Sequence, residues 1–276
     1  MDQFKGKLAV ITGAGSGIGR ALATRCAREG MRVALVDVQE GKLQALSARL
    51  EGEGTEVLAR TLDVSNAVEF TDFAQQCLSE LGAPDLLFNN AGILRVGETW
   101  SHSFEEWQKI LSINIMGVVN GLNAFVPSML EKGKEAHIVN TGSVGSLVAA
   151  PGMAQYTAVK MAVRGITESL AYDLAAREAP INVSLLCPGP VLTSISDELL
   201  GIEPGTEEPD PASHLMAGQP DFITPDDCAD HVFKAIRERR FWIFTHPFNN
   251  YLKAKMQAVI EGENPVYQEV EFDANT

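Results

Sequence analysis

The chain has 276 residues, 45% apolar and 21% charged, the make-up of an ordinary globular protein with material for a sizeable core. Its net charge of −14 speaks against nucleic acid or an anionic membrane as a partner, since both call for clustered Lys and Arg. Cys26, Cys77, Cys187 and Cys228 are widely spaced with no CxxC pattern, and the histidines lack HExxH-type spacing; these are expected to be reduced core thiols, with no metal site.

In chain order, MDQFKGKLAV lacks the layout of a signal peptide, and a cytoplasmic protein is expected. KLAVIT (7–12) reads as a buried strand running straight into TGAGSGIGR (12–20), which opens a helix. Further strands are expected at MRVALVD (31–37), TEVLARTLD (55–63), PDLLFNN (84–90), HIVNTG (137–142) and INVSLLCP (181–188), each separated from the next by room for a helix. SFEE (103–106) has the form of a capping box and starts a long helix. The apolar run at 110–130 is broken by Ser112, Asn114, Asn120, Asn123 and Pro127, which suits a buried helix better than a membrane span. TPDD (224–227) supplies a Thr cap followed by proline at the first helical position, and FWIFT (241–245) could add an edge strand.

Strand and helix in alternation imply an α/β fold: a doubly wound parallel sheet with helices on both faces, in a single domain over residues 1–276. Residues 194–224 carry seven acidic side chains, four prolines and no Lys or Arg, and are expected to form a flap over a site. Residues 246–276 form a C-terminal extension whose amphipathic stretch could frame the pocket or dock on a partner subunit.

The first candidate chemistry is a phosphate cradle. Gly13, Gly17 and Gly19 let the backbone turn tightly, and the helix start aims its free N–H groups at a ligand such as a pyrophosphate. The spacing is GxxxGxG, which departs from the GxGxxG fingerprint. Asp37, ending the second strand, stands where an acidic group can accept hydrogen bonds from an adenosine ribose, although an Asp there can also simply cap a turn. A carboxylate would repel a 2′-phosphate, and neither Ser16 nor Val38 offers a compensating cation, so NAD is expected over NADP. The second candidate is YTAVK (156–160): Tyr156 and Lys160 share a helix face, a spacing that fits a surface pair as well as a base and its cation.

Taken together, TGAGSGIG (12–19), Asp63-Val64, NNAG (89–92), Asn114, Ser143, YTAVK (156–160) and PGPVLT (188–193) resemble the short-chain dehydrogenase/reductase family, in its shorter single-domain, Rossmann-type branch. The likeness spans about residues 5 to 195. It implies a catalytic tetrad of Asn114, Ser143, Tyr156 and Lys160. It implies cofactor contacts from Gly13, Ser16, Gly17, Ile18, Gly19, Asp37, Asp63, Val64, Asn90, Ala91 and Gly92, and from Tyr156, Lys160, Pro188, Gly189, Val191 and Thr193. Ser143 would hold the substrate oxygen, Tyr156 would exchange the proton, Lys160 would lower the phenol pKa and grip the nicotinamide ribose, and Asn114 would hold a relay water, the alternative for Asn114 being a buried amide satisfied by backbone. Lowering a phenol from about 10 to near 7 takes roughly 4 kcal/mol, which one ammonium about 4 Å away just supplies at an effective dielectric near 20; burial pushes the other way, and the positive ring of oxidised NAD would add a margin.

Leu94, Val148 and Met153, with Ser143 and Tyr156, are expected to line the substrate site. Their apolar character suits a small secondary alcohol or ketone, alicyclic, aromatic or terpenoid, and not a CoA thioester. Gly117 and Gly121 on the long helix would permit the close helix approach of a homodimer or homotetramer. An NAD-sensing protein without chemistry and an NAD-dependent epimerase or dehydratase are the alternatives. A complete tetrad and a short substrate region stand against them.

Overall fold

The computed structural model describes residues 1, 3–193, 195, 214, 216–219 and 221–269. Seven strands form one sheet: β1 (Leu8–Thr12), β2 (Arg32–Asp37), β3 (Val57–Thr61), β4 (Leu86–Asn89), β5 (Ala136–Thr141), β6 (Ile181–Cys187) and β7 (Trp242–Phe244). The order is β3-β2-β1-β4-β5-β6-β7, and every neighbouring pair is parallel. β1, β4 and β5 are buried along their whole length, as strands covered on both faces must be. That is why they read in sequence as largely apolar runs, with Asn89, His137 and Asn140 among the buried polar exceptions.

The helices are α1 (Gly17–Arg28), α2 (Glu40–Gly52), α3 (Ala67–Glu80), α4 (Phe104–Leu111), α5 (Gly117–Lys132), α6 (Ala154–Ala176), α7 (Pro225–Glu238) and α8 (Asn249–Glu261). One face of the sheet is packed by Leu22 and Cys26 of α1, Leu43 and Leu50 of α2, and Val232 and Phe233 of α7. The other is packed by Phe70 and Phe73 of α3, Phe125 and Met129 of α5, and Leu174 of α6. Local signals are realised at helix starts: Ser103 and Glu106 form a complete capping box on α4, and Thr224 caps α7 with Pro225 next in line.

The helix opened by Ser103 is not continuous. A π turn, Ser112–Met116, separates α4 from α5 and carries Asn114 at its centre; π turns inside helices often mark functional sites. The run Phe104–Lys132 has the length and hydropathy of a membrane span, but it lies on the sheet and buries Val118, Phe125 and Met129. Gly117 and Gly121 face inward. A Cβ on Gly117 would press on Val64, and one on Gly121 would overlap Asn89 Oδ1. Their small size is spent on packing within the chain, so they are no argument for a subunit interface.

Two buried polar features cross the sheet. Asn89 donates to Asn140 Oδ1 (2.8 Å), Asn140 donates to Thr167 Oγ1 on α6 (3.0 Å), and Asn89 and Asn140 are register partners in the β4–β5 ladder. At the opposite end of β5, His137 Nε2 lies 2.6 Å from Ser184 Oγ, which donates to the Arg240 carbonyl; Nδ1 has no partner. Burial, with the chain's N-terminal ammonium, pushes the His137 pKa down to about 3. The folded protein holds this ring neutral, whereas the unfolded chain protonates it below about pH 6.5. Stability from this group is therefore complete above that pH and is lost as pH falls from 6.5 toward 3. Urea melts should show wild type losing about 2 kcal/mol more than His137→Gln between near pH 7.5 and about pH 5. Equal losses in the two proteins would refute the assignment.

Candidate active site

The sheet order turns back between β1 and β4, so the loops leaving these strands diverge and open a crevice at their carboxyl ends, where ligands of open α/β sheets bind. The glycine loop stands on one side of it. Gly17 has φ +47°, a backbone state that L side chains avoid, and a Cβ there would come within 2.9 Å of the Thr193 methyl. A Cβ on Gly19 would overlap the Gly13 carbonyl. The first turn of α1 starts at Ser16, whose side chain makes no capping bond. Ile18 is half-buried against the core beneath.

Asp37 is buried, and its carboxylate is held by two backbone N–H groups, Gly15 to Oδ2 and Gln39 to Oδ1, both at 2.8 Å. Val38 beside it is exposed. Lys42 on α2 approaches the same corner: an ideal Cβ on Gly15 would lie 3.0 Å from Asp37 and 3.3 Å from Lys42 Cβ. This cation was overlooked in the sequence because it comes from the next helix.

The floor of the crevice is stapled by Thr12. Its hydroxyl oxygen accepts from the N–H groups of Asn90 (2.9 Å) and Ala91 (3.1 Å). The Asn90 side chain donates to the Thr12 carbonyl and accepts from Thr141 Oγ1, tying the ends of β1, β4 and β5 together. Gly92 then passes between Lys160 and Asn114; a Cβ there would lie 3.5 Å from Nζ and 3.6 Å from the Asn114 amide. Asp63 is exposed and accepts from Ser65 N–H, while Val64 turns its side chain into the core against α5. Pro188 accepts from Val144 N–H at 3.0 Å, and Val191 is buried in a parallel bridge with Ile223.

Ser143, Tyr156 and Lys160 meet where β5 ends and α6 begins. Ser143 caps the short 3₁₀ turn Val144–Ser146, and its oxygen accepts from Gly145 N–H at 3.1 Å. That leaves its hydroxyl proton available on the side of the Tyr156 oxygen, whose phenolate form Ser143 favours. Lys160 is buried, its Nζ donates to the Thr141 carbonyl at 2.8 Å, and it stands 5.5 Å from the centre of the Tyr156 ring. Burial lowers the Lys160 pKa to about 8.

The Tyr156 phenol departs from expectation. Burial raises its pKa above the ordinary tyrosine value, opposed by the Ser143 hydrogen bond. The protein's own groups therefore do not acidify it: desolvation of the phenolate outweighs them. Asn114 also differs. Its amide makes a two-point contact with the backbone of Ile93, accepting from N–H and donating to C=O, both at 2.9 Å. The side chain thus fixes the π turn beside the chain at Gly92 and Ile93.

Of the residues expected around a substrate, Leu94 is buried, Met153 precedes α6 and is bridged to Gly97, and Val148 is buried in a cluster with Leu147 and Phe248. Trp242, Phe244, Tyr251 and Leu252 pack on that cluster. The described part of the extension after residue 246 therefore braces the loop that carries Val148. These aromatic residues were missed, because contact between sites a hundred positions apart leaves no local signal. The expected flap at 194–224 lies almost wholly outside the described residues. Among the described residues, no three His, Cys, Asp or Glu side chains cluster as metal ligands would.

The profile of the short chain dehydrogenase family matches residues 7–201. A short chain dehydrogenase/reductase from Burkholderia phymatum, solved in complex with NAD, is 38% identical and superposes with a TM-score of 0.87 over 97% of this chain and 99% of its own. The CLA biosynthesis dehydrogenase/reductase of Lactiplantibacillus plantarum is 32% identical over 96% of this chain and 97% of its length. The 1-deoxy-11-beta-hydroxypentalenate dehydrogenase of Streptomyces arenae is 34% identical over 87% and 82%, respectively.

Proposed function

The chain belongs to the short-chain dehydrogenase family, and from that premise we propose an NAD-dependent oxidoreductase that interconverts a secondary alcohol and a ketone on a largely apolar small molecule. The observation that carries this reading is the meeting of Ser143, Tyr156 and Lys160 at the crevice edge, facing the glycine loop across Gly92.

The crevice fits a dinucleotide. The tight glycine loop at the start of α1, with Thr193 against Gly17, suits a pyrophosphate, and the Asp37 carboxylate suits ribose hydroxyls. Ser16, Asn90, Ala91, Pro188, Gly189 and Val191 are assigned to the same site, with Asp63 and Val64 at its adenine end. NAD-bound relatives such as the Burkholderia phymatum protein support NAD as the cofactor.

When bound, NAD supplies the hydride acceptor, or in reduced form the donor, and in oxidised form a positive ring. Ser143 then turns its hydroxyl proton from the side of Tyr156 to the substrate oxygen and holds it. The Tyr156 oxygen takes the alcohol proton in oxidation and returns it in reduction. Lys160, mostly charged at neutral pH, stabilises the phenolate as it forms and would hold the cofactor ribose. Asn114 holds the Gly92–Ile93 backbone in place, and a relay water would be bound at the same turn.

Leu94, Val148 and Met153 give the substrate site its apolar character, and the hydroxylated terpenoid named for the Streptomyces arenae relative is of the same kind. Support for self-association as a homodimer or homotetramer comes from exposed apolar residues on α4 and α6, among them Phe104, Leu111, Met161 and Tyr172.

Incubation with NAD and a panel of alicyclic, aromatic and terpenoid secondary alcohols should produce NADH with at least one of them. NAD binding without NADH formation would favour a sensor. Product formation without net NADH would favour an epimerase or dehydratase.

A further inference from the structure

A buried hydrogen-bond relay runs behind the loop that joins the two halves of the site. Gly189 N–H donates to Thr245 Oγ1 at 3.2 Å, Thr245 Oγ1 lies 2.7 Å from His246 Nδ1, and His246 Nε2 lies 3.1 Å from the Asp221 carbonyl. Both Thr245 and His246 are only 6% exposed, so water does not compete for these bonds. A carbonyl can only accept, so Nε2 carries the ring proton. A neutral ring then has Nδ1 as an acceptor, and the Thr245 hydroxyl must donate to it. Burial favours that neutral form. Every bond therefore points the same way, from peptide N–H through hydroxyl and imidazole to carbonyl.

The relay holds a piece of chain with two critical ends. At one end Pro188 accepts from Val144, the residue after Ser143; at the other, Thr193 lies against Gly17. Between them, Leu192 N–H bonds to Ile223 and Ile223 N–H bonds to Pro190, so Gly189–Thr193 and Asp221–Ile223 form a paired unit. The His246 ring abuts Gly189 so closely that a Cβ there would lie 2.6 Å from Nδ1.

We propose that His246, acting through Thr245, is a positioning residue that sets the distance between the Ser143 turn and the glycine loop by fixing Gly189–Thr193 against Asp221–Ile223. Its effect on turnover rests on the function proposed above; its effect on the backbone does not.

Hydrogen exchange of the protein without cofactor tests the backbone claim. Thr245→Val removes the hydroxyl at constant shape, and His246→Phe removes both ring bonds. In each, exchange at the Leu192 and Ile223 amides should rise about tenfold, the loss of one buried hydrogen bond. In turnover assays kcat should fall about tenfold in both while KM for the alcohol moves by less than about threefold. His246→Asn, which keeps an acceptor near the Nδ1 position, should recover most of kcat. Unchanged protection of Leu192 and Ile223 in Thr245→Val would overturn the proposal, as would an Asn variant no better than Phe. Should His246→Phe fail to fold, Thr245→Val decides. A wild type without turnover would refute the function reading, and the exchange data would still judge the relay.

Discussion

Tyr156→Phe is expected to cut turnover by about a thousandfold or more while NADH binding stays within about twofold. The change deletes one oxygen and leaves the ring beside Lys160, so the crevice keeps its shape. It also removes the acceptor of the Ser143 hydroxyl, which then bonds to substrate or water at small structural cost. Because burial holds the phenol above its ordinary pKa, wild-type alcohol oxidation should rise with pH through neutrality, where the phenolate fraction grows. Ketone reduction uses the protonated phenol and should not share that rise. Deprotonation of Lys160 above about pH 8 removes the supporting charge and should bend the oxidation profile downward. Steady-state rates in both directions, with NADH binding followed by fluorescence, check all three points. Residual turnover above about a tenth of wild type would remove Tyr156 from its role.

The second large effect is expected at the adenosine end. A 2′-phosphate close to the Asp37 carboxylate meets a repulsion of about 1 kcal/mol in water and about 4 kcal/mol at an effective dielectric near 20. Wild type should therefore prefer NAD by between about fivefold and about a thousandfold in kcat/KM. Asp37→Ser removes the repulsion and leaves Lys42 as a nearby cation, so the preference should shrink about a hundredfold. The cost falls on the loop, since Gly15 and Gln39 each lose a charged acceptor. Thermal melts are needed to separate that loss from the change in preference. A wild type that favours NADP would show that Lys42, not Asp37, governs the corner.

The strands were legible because chain buried on both faces is largely apolar, and the caps at Ser103 and Thr224 were legible because capping is local chemistry. The residues that meet at the crevice could be named in advance because they lie in contiguous motifs. What stayed hidden depends on neighbours distant in sequence or on backbone atoms. Thr141 holds Lys160 by its carbonyl, which no side-chain pattern encodes. The π turn at Asn114 follows from a bond to Ile93, 21 positions away. Gly117 and Gly121 looked like a contact stripe on a helix surface; only packing reveals that Val64 and Asn89 occupy the space. The upward push of burial on the Tyr156 phenol was expected, but its weight cannot be set before the surroundings are known.

The Asn89–Asn140–Thr167 ladder gives the sheet a lock against misalignment. Were β5 to slide by one residue, Asn89 would face Val139, and two amides would be stranded in hydrocarbon. Because Thr167 rides on the helix that bears Tyr156 and Lys160, while Gly121 abuts Asn89 from the helix that follows Asn114, the same lock indexes both helices to the strands. A chain folded out of step could thus bury its apolar faces and still be recognised as wrong by its own interior. Conversely, apolar replacement of Asn89, Asn140 and Thr167 together would trade that proofreading for tolerance of misaligned states.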